Sequence, residues 1–228
     1  MNDVVIKTND SSILADAKVS GQVSADWFSP GWWRSQDAVK RQMGGRGQAL
    51  LVDTPVGSLV LRRFQRGGLA AQLSRDRYLN LGSERSRAFE EFRVLRTLKQ
   101  LGLPVPTPVA AIHEPTGPFY RAGLLTRLIP EARELAELAP GLSSRQWLDL
   151  AATLKQFFAA GLHHPDLNAR NLLLDAQGCW HLLDFDKAQL RDKKVDSQVM
   201  RKRLERSLEK LCAPGWRPGF EASLGADF

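Results

Sequence analysis

The sequence has few cysteines and no long apolar runs. Its two cysteines, Cys179 and Cys212, lie far apart and match no metal-ligand or Cys-x-x-Cys spacing, so we expect incidental thiols in a reducing compartment. No stretch approaches the roughly 20 apolar residues that a membrane-spanning helix needs. The first residues lack a basic region followed by an apolar core, so we expect no signal peptide. These absences favour a cytosolic protein and leave attachment to a membrane surface open.

Acidic residues are outnumbered in this 228-residue chain, with 25 Asp and Glu against 32 Lys and Arg. The net charge of +7 favours anionic partners such as nucleic acid, nucleotide phosphates or acidic lipids, without choosing among them. The sequence has no internal repeats and no GxxxxGK[ST] motif, which excludes a simple P-loop enzyme. It also lacks an aromatic-basic RNP-like motif, so we expect no nucleic-acid partner.

The first half of the chain predicts strands around one long helix. Residues 1–25 are polar with weak periodicity, which is typical of a loose arm or an edge strand. The later elements are predicted at residues 48–64 (a β-hairpin), 83–101 (an amphipathic helix ended by Gly102), 109–113 and 120–129 (two strands). Pro130 then begins a short linker, the natural boundary between two lobes.

The second half is predicted to be mainly helical. Ser143 to Gln146 resembles a capping box that opens a helix to about Ala160. Two short strands follow at residues 172–175 and 180–186. A basic helix is predicted from Asp196 to Leu211, and the residues from Pro214 onward look irregular. The expected buried side of the basic helix consists of Val199, Leu204, Leu208 and Leu211. This order predicts an α+β fold with two lobes.

The aromatic segment WFSPGWW, residues 27–33, has two interpretations. It is a turn whose aromatic side chains cap the smaller lobe, or it is an anchor at a membrane interface. The second interpretation rests on the preference of Trp for the headgroup boundary and on the basic residues Arg34, Lys40 and Arg41 that follow.

The residues that carry chemistry are the segment HPDLNARN, 164–171, and the segment DFD, 184–186. Phosphoryl transfer needs metal ions that neutralise phosphate oxygens and a carboxylate that orients the acceptor hydroxyl. Hard cations such as Mg²⁺ prefer oxygen ligands, including carboxylates and amide carbonyls. A carboxylate and an amide five positions apart, with a second carboxylate after a strand, supply this set. The plainer alternative is that Asp166 and Asn171 only stabilise turns.

These two segments resemble the catalytic loop and the DFG motif of the protein-kinase superfamily. The resemblance implies a kinase fold that uses ATP and Mg²⁺. Asp166 would orient or deprotonate the acceptor hydroxyl, while Asn171 and Asp184 would hold the metal. His164 is interpreted as a structural brace of the loop.

The superfamily pattern also expects a lysine on a strand of the first lobe, paired with a helix glutamate. This sequence has Arg62 at that place, with Arg63 as a competitor. Glu91 fits the helix glutamate, with Glu90 as the neighbouring alternative. The glycine-rich stretch Gly45, Arg46 and Gly47 is a candidate for covering the ATP phosphates with backbone N–H groups.

Longer segments resemble one family, the bacterial 3-deoxy-D-manno-octulosonic acid (Kdo) kinases. They are Gly45–Gly47, VLRRFQRGGL from Val60, Asp76–Leu79, FEEFRVL, GLPVPTPVAA from Gly102, Tyr120–Ala122, and the two catalytic segments. The resemblance implies phosphorylation of a Kdo hydroxyl on a lipid A precursor. It also implies work at the cytoplasmic face of the bacterial inner membrane, as a peripheral protein without an obligate protein partner. The implied parts are an arm at 1–25, a kinase N-lobe at 26–129 and a C-lobe at 130–228.

The distribution of charge is compatible with an anionic glycolipid substrate. Residues 40–100 contain 13 basic and 5 acidic residues, and residues 187–217 contain 10 and 4. Such faces would attract phosphates and a sugar carboxylate near a membrane, and Arg63, Arg66, Gly67 and Gly68 are candidate contacts. Two alternatives stay open. One is another small-molecule or protein kinase of the same fold, and the other is a pseudokinase that only binds anionic lipid.

Overall fold

The computed structural model of the chain describes residues 2–43, 49–64, 78–192 and 195–225. The chain divides into two compact units, one of Met1–Arg96 with Thr107–Leu128 and one of Thr97–Pro106 with Ile129–Phe228. Its structure is mixed α and β with antiparallel sheets, as the α+β prediction requires. No helix among the described residues is long and apolar enough to cross a membrane.

The predicted strands and helices occur in the predicted order, and further short elements lie before, between and after them. The strands are β1 Asp3–Lys7, β2 Ser12–Asp16, β3 Val39–Met43, β4 Ala49–Thr54, β5 Gly57–Arg63, β6 Tyr78–Leu79, β7 Pro108–Thr116, β8 Phe119–Arg127, β9 Arg133–Glu134, β10 Leu162–His163, β11 Leu172–Leu174, β12 Trp180–Leu182 and β13 Gln189–Leu190. The α-helices are α1 Pro30–Ser35, α2 Arg87–Gln100, α3 Leu135–Leu138, α4 Ser144–Ala159, α5 Ser197–Leu211 and α6 Arg217–Ser223.

The first unit contains an eight-stranded antiparallel sheet in the order β1-β2-β7-β8-β5-β4-β3, with β6 added on β8. The predicted β4–β5 hairpin is present. Leu50 and Val52 of β4 and Leu59 and Leu61 of β5 are buried at alternate positions, which is the pattern of a strand with one face on the core. The turn places Gly57 at φ 104°, a conformation that glycine adopts without steric cost.

The N-terminal residues form part of this sheet, and the prediction of a loose arm at 1–25 was wrong. Strand β1 lies at the sheet edge, as the edge-strand alternative required, but β2 pairs with both β1 and β7. Its residues Ile13 to Ala15 are all buried, so the alternation that identifies a strand from sequence is missing. The buried guanidinium of Arg96 fixes the hairpin through ion pairs with Asp3 at 2.7 Å and Asp16 at 2.9 Å.

The aromatic segment belongs to the core of the first unit. Trp27, Phe28 and Trp33 are buried, and the indole Nε1 of Trp33 donates to the carbonyl oxygen of Trp27 at 2.7 Å. Ser29 caps helix α1 by accepting from the backbone N–H of Trp32. The burial of these three side chains agrees with the interpretation as a capping turn. Trp32 is only partly buried, and a role of the segment at a membrane interface stays a prediction.

The second unit is built around helix α4, which begins with the predicted capping box. Ser143 accepts from the backbone N–H of Gln146, whose side chain returns a bond to the N–H of Ser143. The residues after Pro214, predicted to be irregular, include helix α6. It packs so closely on α4 that a Cβ at Gly219 would lie 2.3 Å from the ring of Trp147.

Helix α5 extends as predicted, but its buried side differs. Met200, Leu204 and Leu208 are buried, whereas Val199 is 53% exposed and Leu211 is half-buried. The sulfur of Met200, on this buried side of the helix, accepts a hydrogen bond from the backbone N–H of His164 at 3.4 Å. The prediction for Val199 was therefore wrong by one position around the helix.

Gly161 ends α4 and leads into β10, which pairs with β13. Its φ is +79°, and its carbonyl oxygen accepts from the backbone N–H of Arg191 at 2.9 Å. A Cβ at this position would lie 2.2 Å from the carbonyl oxygen of Arg191. Glycine is required here both by its backbone conformation and by the close approach of the chain that leaves the DFD segment.

Candidate active site

The hairpin of β11 and β12 brings two predicted site residues to one end. Leu172 pairs with Leu182 in antiparallel register, and the backbone N–H of Leu183 donates to the carbonyl oxygen of Asn171 at 2.8 Å. Asn171 directly precedes β11, and Asp184 follows β12 by two residues. Because paired strands carry their flanking residues to the same edge, these two side chains belong to one end of the hairpin.

The turn of this hairpin is fixed by Asp175. One oxygen of its carboxylate accepts from the backbone N–H groups of Gln177 and Cys179, and the other contacts Nε2 of His181 at 2.7 Å. These hydrogen bonds hold the pKa of Asp175 below its usual value, against the opposing effect of burial. A short Asp-containing turn therefore sets the register that places Asn171 and Asp184.

The loop between residues 164 and 171 is organised around the carbonyl oxygen of Asp166. The side-chain amide groups of Asn168 and Asn171 each donate to that oxygen at 3.0 Å. Leu167 and Ala169 are buried, while Asp166 is exposed. The loop thus fixes the backbone of Asp166 and presents its side chain to solvent.

Neighbouring elements hold the middle of this loop. The backbone N–H of Ala169 donates to the hydroxyl of Ser207 on α5 at 3.0 Å. The carbonyl oxygen of Ala169 accepts from the backbone N–H of Ala136 on α3, also at 3.0 Å. Both backbone polar groups of a buried residue are therefore satisfied, and the loop is tied to two helices.

His164 links the loop to the strand before Asp184. It is fully buried, its Nε2 lies 3.0 Å from the carbonyl oxygen of Leu183, and its ring packs edge-on against Phe185. Burial lowers the pKa of His164, so the ring is neutral and its Nε2–H donates to the carbonyl. These contacts agree with the interpretation of His164 as a brace.

Asp184 adopts a left-handed backbone conformation, with φ 58°. Non-glycine residues avoid this region because Cβ approaches the backbone, at a cost of about 1 kcal/mol. The next residue, Phe185, is buried. Such an outlier next to a candidate site is typical of residues whose side-chain direction matters.

The donor set at the hairpin end fits a hard cation. Asn171 uses its amide N–H to bind Asp166, which leaves its amide oxygen to face a ligand, and Asp184 supplies a carboxylate. Oxygens of these two kinds, completed by water and phosphate, are what Mg²⁺ prefers. No cluster of three or more His, Cys, Asp or Glu side chains with metal-site geometry occurs in the described ranges. The metal-binding role of Asn171 and Asp184 and the catalytic role of Asp166 stay predictions.

The first unit contains the other predicted pair. Arg62 on β5 forms an ion pair with Glu91 on α2, which is 3% exposed. Its competitor Arg63 instead pairs with Glu114 and donates to the carbonyl oxygen of Phe28. The structure therefore selects Arg62 over Arg63 as the partner of the helix glutamate. Whether Arg62 and Glu91 serve nucleotide binding stays a prediction.

Several predicted contacts fall on residues that the structure does not describe. They are Gly45, Arg46 and Gly47 of the glycine-rich stretch and Arg66, Gly67 and Gly68 of the acceptor candidates.

A cavity of about 480 Å³ in the second unit was not predicted from the sequence. Its lining residues are Asp166, Asn168 and Arg170 of the loop and Arg203, Arg206, Ser207, Lys210 and Leu211 of α5. The sequence feature that could have indicated the cavity is the spacing of Arg203, Arg206 and Lys210, three and four positions apart along a predicted helix. The count of charges in residues 187–217 did not distinguish these three basic residues, Arg203, Arg206 and Lys210, from the others in the segment.

The loop and the hairpin end of the second unit, and the Arg62–Glu91 pair of the first unit, are the features that the kinase pattern predicts for each unit by itself. Residues 31–219 match the lipopolysaccharide kinase (Kdo/WaaP) family, and the chain belongs to this family.

Curated relatives agree with this assignment. A relative from Stenotrophomonas maltophilia (strain R551-3) is 42% identical over 206 residues, which cover 88% of this chain and 81% of the relative. Relatives from Xanthomonas oryzae pv. oryzae (strain PXO99A) and Xanthomonas campestris pv. campestris (strain B100) are 44% and 43% identical, with the same coverage. All three carry the name 3-deoxy-D-manno-octulosonic acid kinase.

Proposed function

We propose that the protein transfers the terminal phosphoryl group of ATP to a hydroxyl of Kdo carried by a lipid A precursor, in lipopolysaccharide core biosynthesis. The observation that carries the proposal is the arrangement of Asp166, Asn171 and Asp184 by one hydrogen-bonded loop and one hairpin, in a chain of the Kdo/WaaP family. The relatives named as Kdo kinases support the choice of acceptor.

The proposed fold is that of a two-lobed kinase. It is supported by the content of each unit taken by itself. The first unit has an antiparallel sheet and the ion pair between Arg62 and Glu91. The second has most of the helices together with the loop that presents Asp166. This division of labour is what kinase chemistry requires of its phosphate-binding and catalytic parts.

In the proposed mechanism, Asp166 accepts the hydrogen bond of the acceptor hydroxyl and orients its oxygen for attack. The two asparagine amides fix the backbone of Asp166, so the carboxylate needs little reorganisation during the reaction. Asn171 and Asp184 would hold Mg²⁺, which would neutralise charge on the phosphate oxygens. Arg62 contacts the phosphates of ATP, and Glu91 fixes the direction of its guanidinium.

The proposed place of work is the cytoplasmic face of the bacterial inner membrane, with the protein attached at its surface. The support is electrostatic, because a chain with a net charge of +7 is attracted to anionic lipids. Attachment by charge also suits a substrate whose sugar acid and phosphates lie at the membrane surface.

The experiment is an acceptor assay with mass spectrometry of the product. Purified protein is incubated with Mg-ATP and the Kdo-bearing lipid A precursor, and the expected product gains one phosphoryl group on Kdo. An Asp166→Ala variant serves as the negative control. Phosphate that appears only on protein or on an aminoglycoside would remove the assignment, and full turnover by Asp166→Ala would remove catalysis through this site.

A further inference from the structure

Helix α5 carries basic side chains on two faces with different surroundings. On one face Arg201 pairs with Glu205, and Arg217 of α6 pairs with both Glu205 and Glu209. These bases are neutralised within the protein. On the other face stand Arg203, Arg206 and Lys210. None of these three takes part in an ion pair within the described parts of the chain.

The second face forms a wall of the 480 Å³ cavity. The spacing of its basic residues, 203, 206 and 210, aligns them along one stripe of the helix. Arg170 of the loop adds a fourth positive charge, and Asp166 is the only acid among the lining residues. A concave surface with this excess of positive charge concentrates anions.

The position of the stripe relative to the loop is fixed by a direct bond. Ser207, which lies between Arg206 and Lys210 on the same helix, accepts from the backbone N–H of Ala169 at 3.0 Å. The helix that carries the charges therefore also supports the loop that presents Asp166. An anion held by the stripe would have a defined position with respect to that carboxylate.

We infer that Arg203, Arg206 and Lys210, together with Arg170, form the subsite for the anionic groups of the acceptor. This inference rests on the proposed function and assigns its acceptor side. The chemical class recognised is a saccharide that carries a carboxylate or a phosphate. The cavity has the size of ordinary small-ligand sites, and guanidinium groups suit both anions because they donate two parallel hydrogen bonds.

The composition of the cavity favours the acceptor over the nucleotide. Asp166, which meets the acceptor hydroxyl, lines the cavity, whereas the candidate metal ligands Asn171 and Asp184 are not among its lining residues. A site for the metal-bound triphosphate would have to include those two residues. The stripe therefore serves the molecule that receives the phosphoryl group.

The test compares steady-state kinetics of Arg203→Ala, Arg206→Ala and Lys210→Ala, each alone and combined, with Lys202→Ala as the control. Lys202 lies on the same helix and is exposed, but it does not line the cavity. We expect the KM for the Kdo-bearing lipid A precursor to rise about tenfold for each lost charge, because each removes a charge-assisted hydrogen bond. The KM for Mg-ATP should change less than about twofold, and Lys202→Ala should match wild type in both constants.

A second arm separates the two sources of negative charge. The same variants are assayed with a precursor from which the lipid A phosphates have been removed. A KM effect that persists assigns the stripe to the sugar carboxylate, and one that disappears assigns it to the phosphates. Either result supports the subsite. Partial rescue by Arg206→Lys, together with unchanged melting temperatures, would exclude a merely structural role.

Two outcomes would overturn the inference while leaving the proposed function intact. In one, wild type phosphorylates the precursor and the triple variant keeps the acceptor KM. In the other, the variants raise the KM for Mg-ATP as much as that for the acceptor, which would reassign the cavity to the nucleotide. If wild type leaves the Kdo acceptor unphosphorylated, the proposed function fails and the subsite assigned to that acceptor fails with it.

Discussion

Arg62 and Glu91, which lie 29 positions apart in the chain, form an ion pair that is buried at its carboxylate end. The guanidinium of Arg62 also lies 4.8 Å from the ring centroid of Phe64, in cation–π geometry. Two neighbours thus determine the direction of a charged side chain. Arg62 stands where the kinase pattern expects a lysine. Variants of this pair can test stability and catalysis separately.

Replacing Arg62 with methionine should destabilise the protein by about 3 kcal/mol, because the buried carboxylate of Glu91 would lose its ion pair with the guanidinium. The double variant Arg62→Met/Glu91→Leu should recover most of this loss in urea denaturation but stay low in activity, since the proposed contact between Arg62 and phosphate would be missing. The control Arg63→Met should cost less, because its partner Glu114 is partly exposed. Wild-type turnover in the double variant would contradict the role of Arg62.

Asp166→Asn should lower kcat by about 10³-fold, in the range expected when a positioned acid–base group is lost. The side chain is exposed, so the melting temperature should not change. Asp10→Asn, an exposed aspartate in the β1–β2 turn, is the matched control and should retain full activity. A variant at position 166 with only a small loss of kcat would show that another group orients the hydroxyl.

Asp184→Asn should weaken the binding of Mg-ATP by at least about tenfold, because the proposed metal ligand would lose its charge. Asp166→Asn should weaken it much less, since Asp166 is assigned to the acceptor. Calorimetric titration of Mg-ATP into both variants measures the difference. Equal losses of affinity would contradict this division of roles.

The parts of the fold with a strong local pattern were predictable. The β4–β5 hairpin consists of two short apolar runs joined by a turn that contains proline and glycine, and α4 begins with a capping box whose bonds are local. The pairing of Arg62 with Glu91 also followed from the kinase pattern. Strand β2 was missed because both of its faces are covered by the protein, which removes the alternation.

The remaining differences depend on tertiary contacts. Val199 and Met200 are both apolar, but Met200 shares the buried face of α5 with Leu204 and Leu208, and its sulfur accepts a hydrogen bond from the backbone N–H of His164. The cavity beside Asp166 arises because Ser207 fixes α5 against the loop, a contact between residues 38 positions apart. No periodicity in the sequence reports such a contact, so the basic stripe could be seen only as a charge run.

Binding to anionic vesicles should decline steeply as salt concentration rises, because surface charges are screened over about 10 Å at 0.1 M ionic strength. Sedimentation with vesicles that contain an anionic lipid, compared with neutral vesicles, measures this. Trp32→Ala should bind as wild type does, since Trp32 packs, partly buried, against the core of the first unit. Salt-insensitive binding would contradict attachment by charge.

Stability should fall on acidification below the usual histidine pKa of 6.5. Burial lowers the pKa of His113, so the unfolded state binds more protons between the folded pKa and 6.5, and stability present above 6.5 is lost as the pH falls. His163 and His164 act in the same direction.

The contribution of His113 can be isolated by the variant His113→Phe. Its stability should change less than that of wild type between about pH 7.5 and about pH 5.5, because one titrating group has been removed. Urea denaturation at both pH values measures the two differences. Equal differences for variant and wild type would show that protonation of His113 does not oppose folding.

The close approach at Gly161 has a consequence for enzyme design. A methyl group at this position would remove no polar atom from the site, yet it would force Gly161 and the carbonyl of Arg191 apart. The backbone hydrogen bond that connects Gly161, at the end of α4, to the chain beyond the DFD segment would lengthen with them. Turnover lost in such a protein, with every reactive side chain still present, would report how much of the rate enhancement depends on backbone geometry.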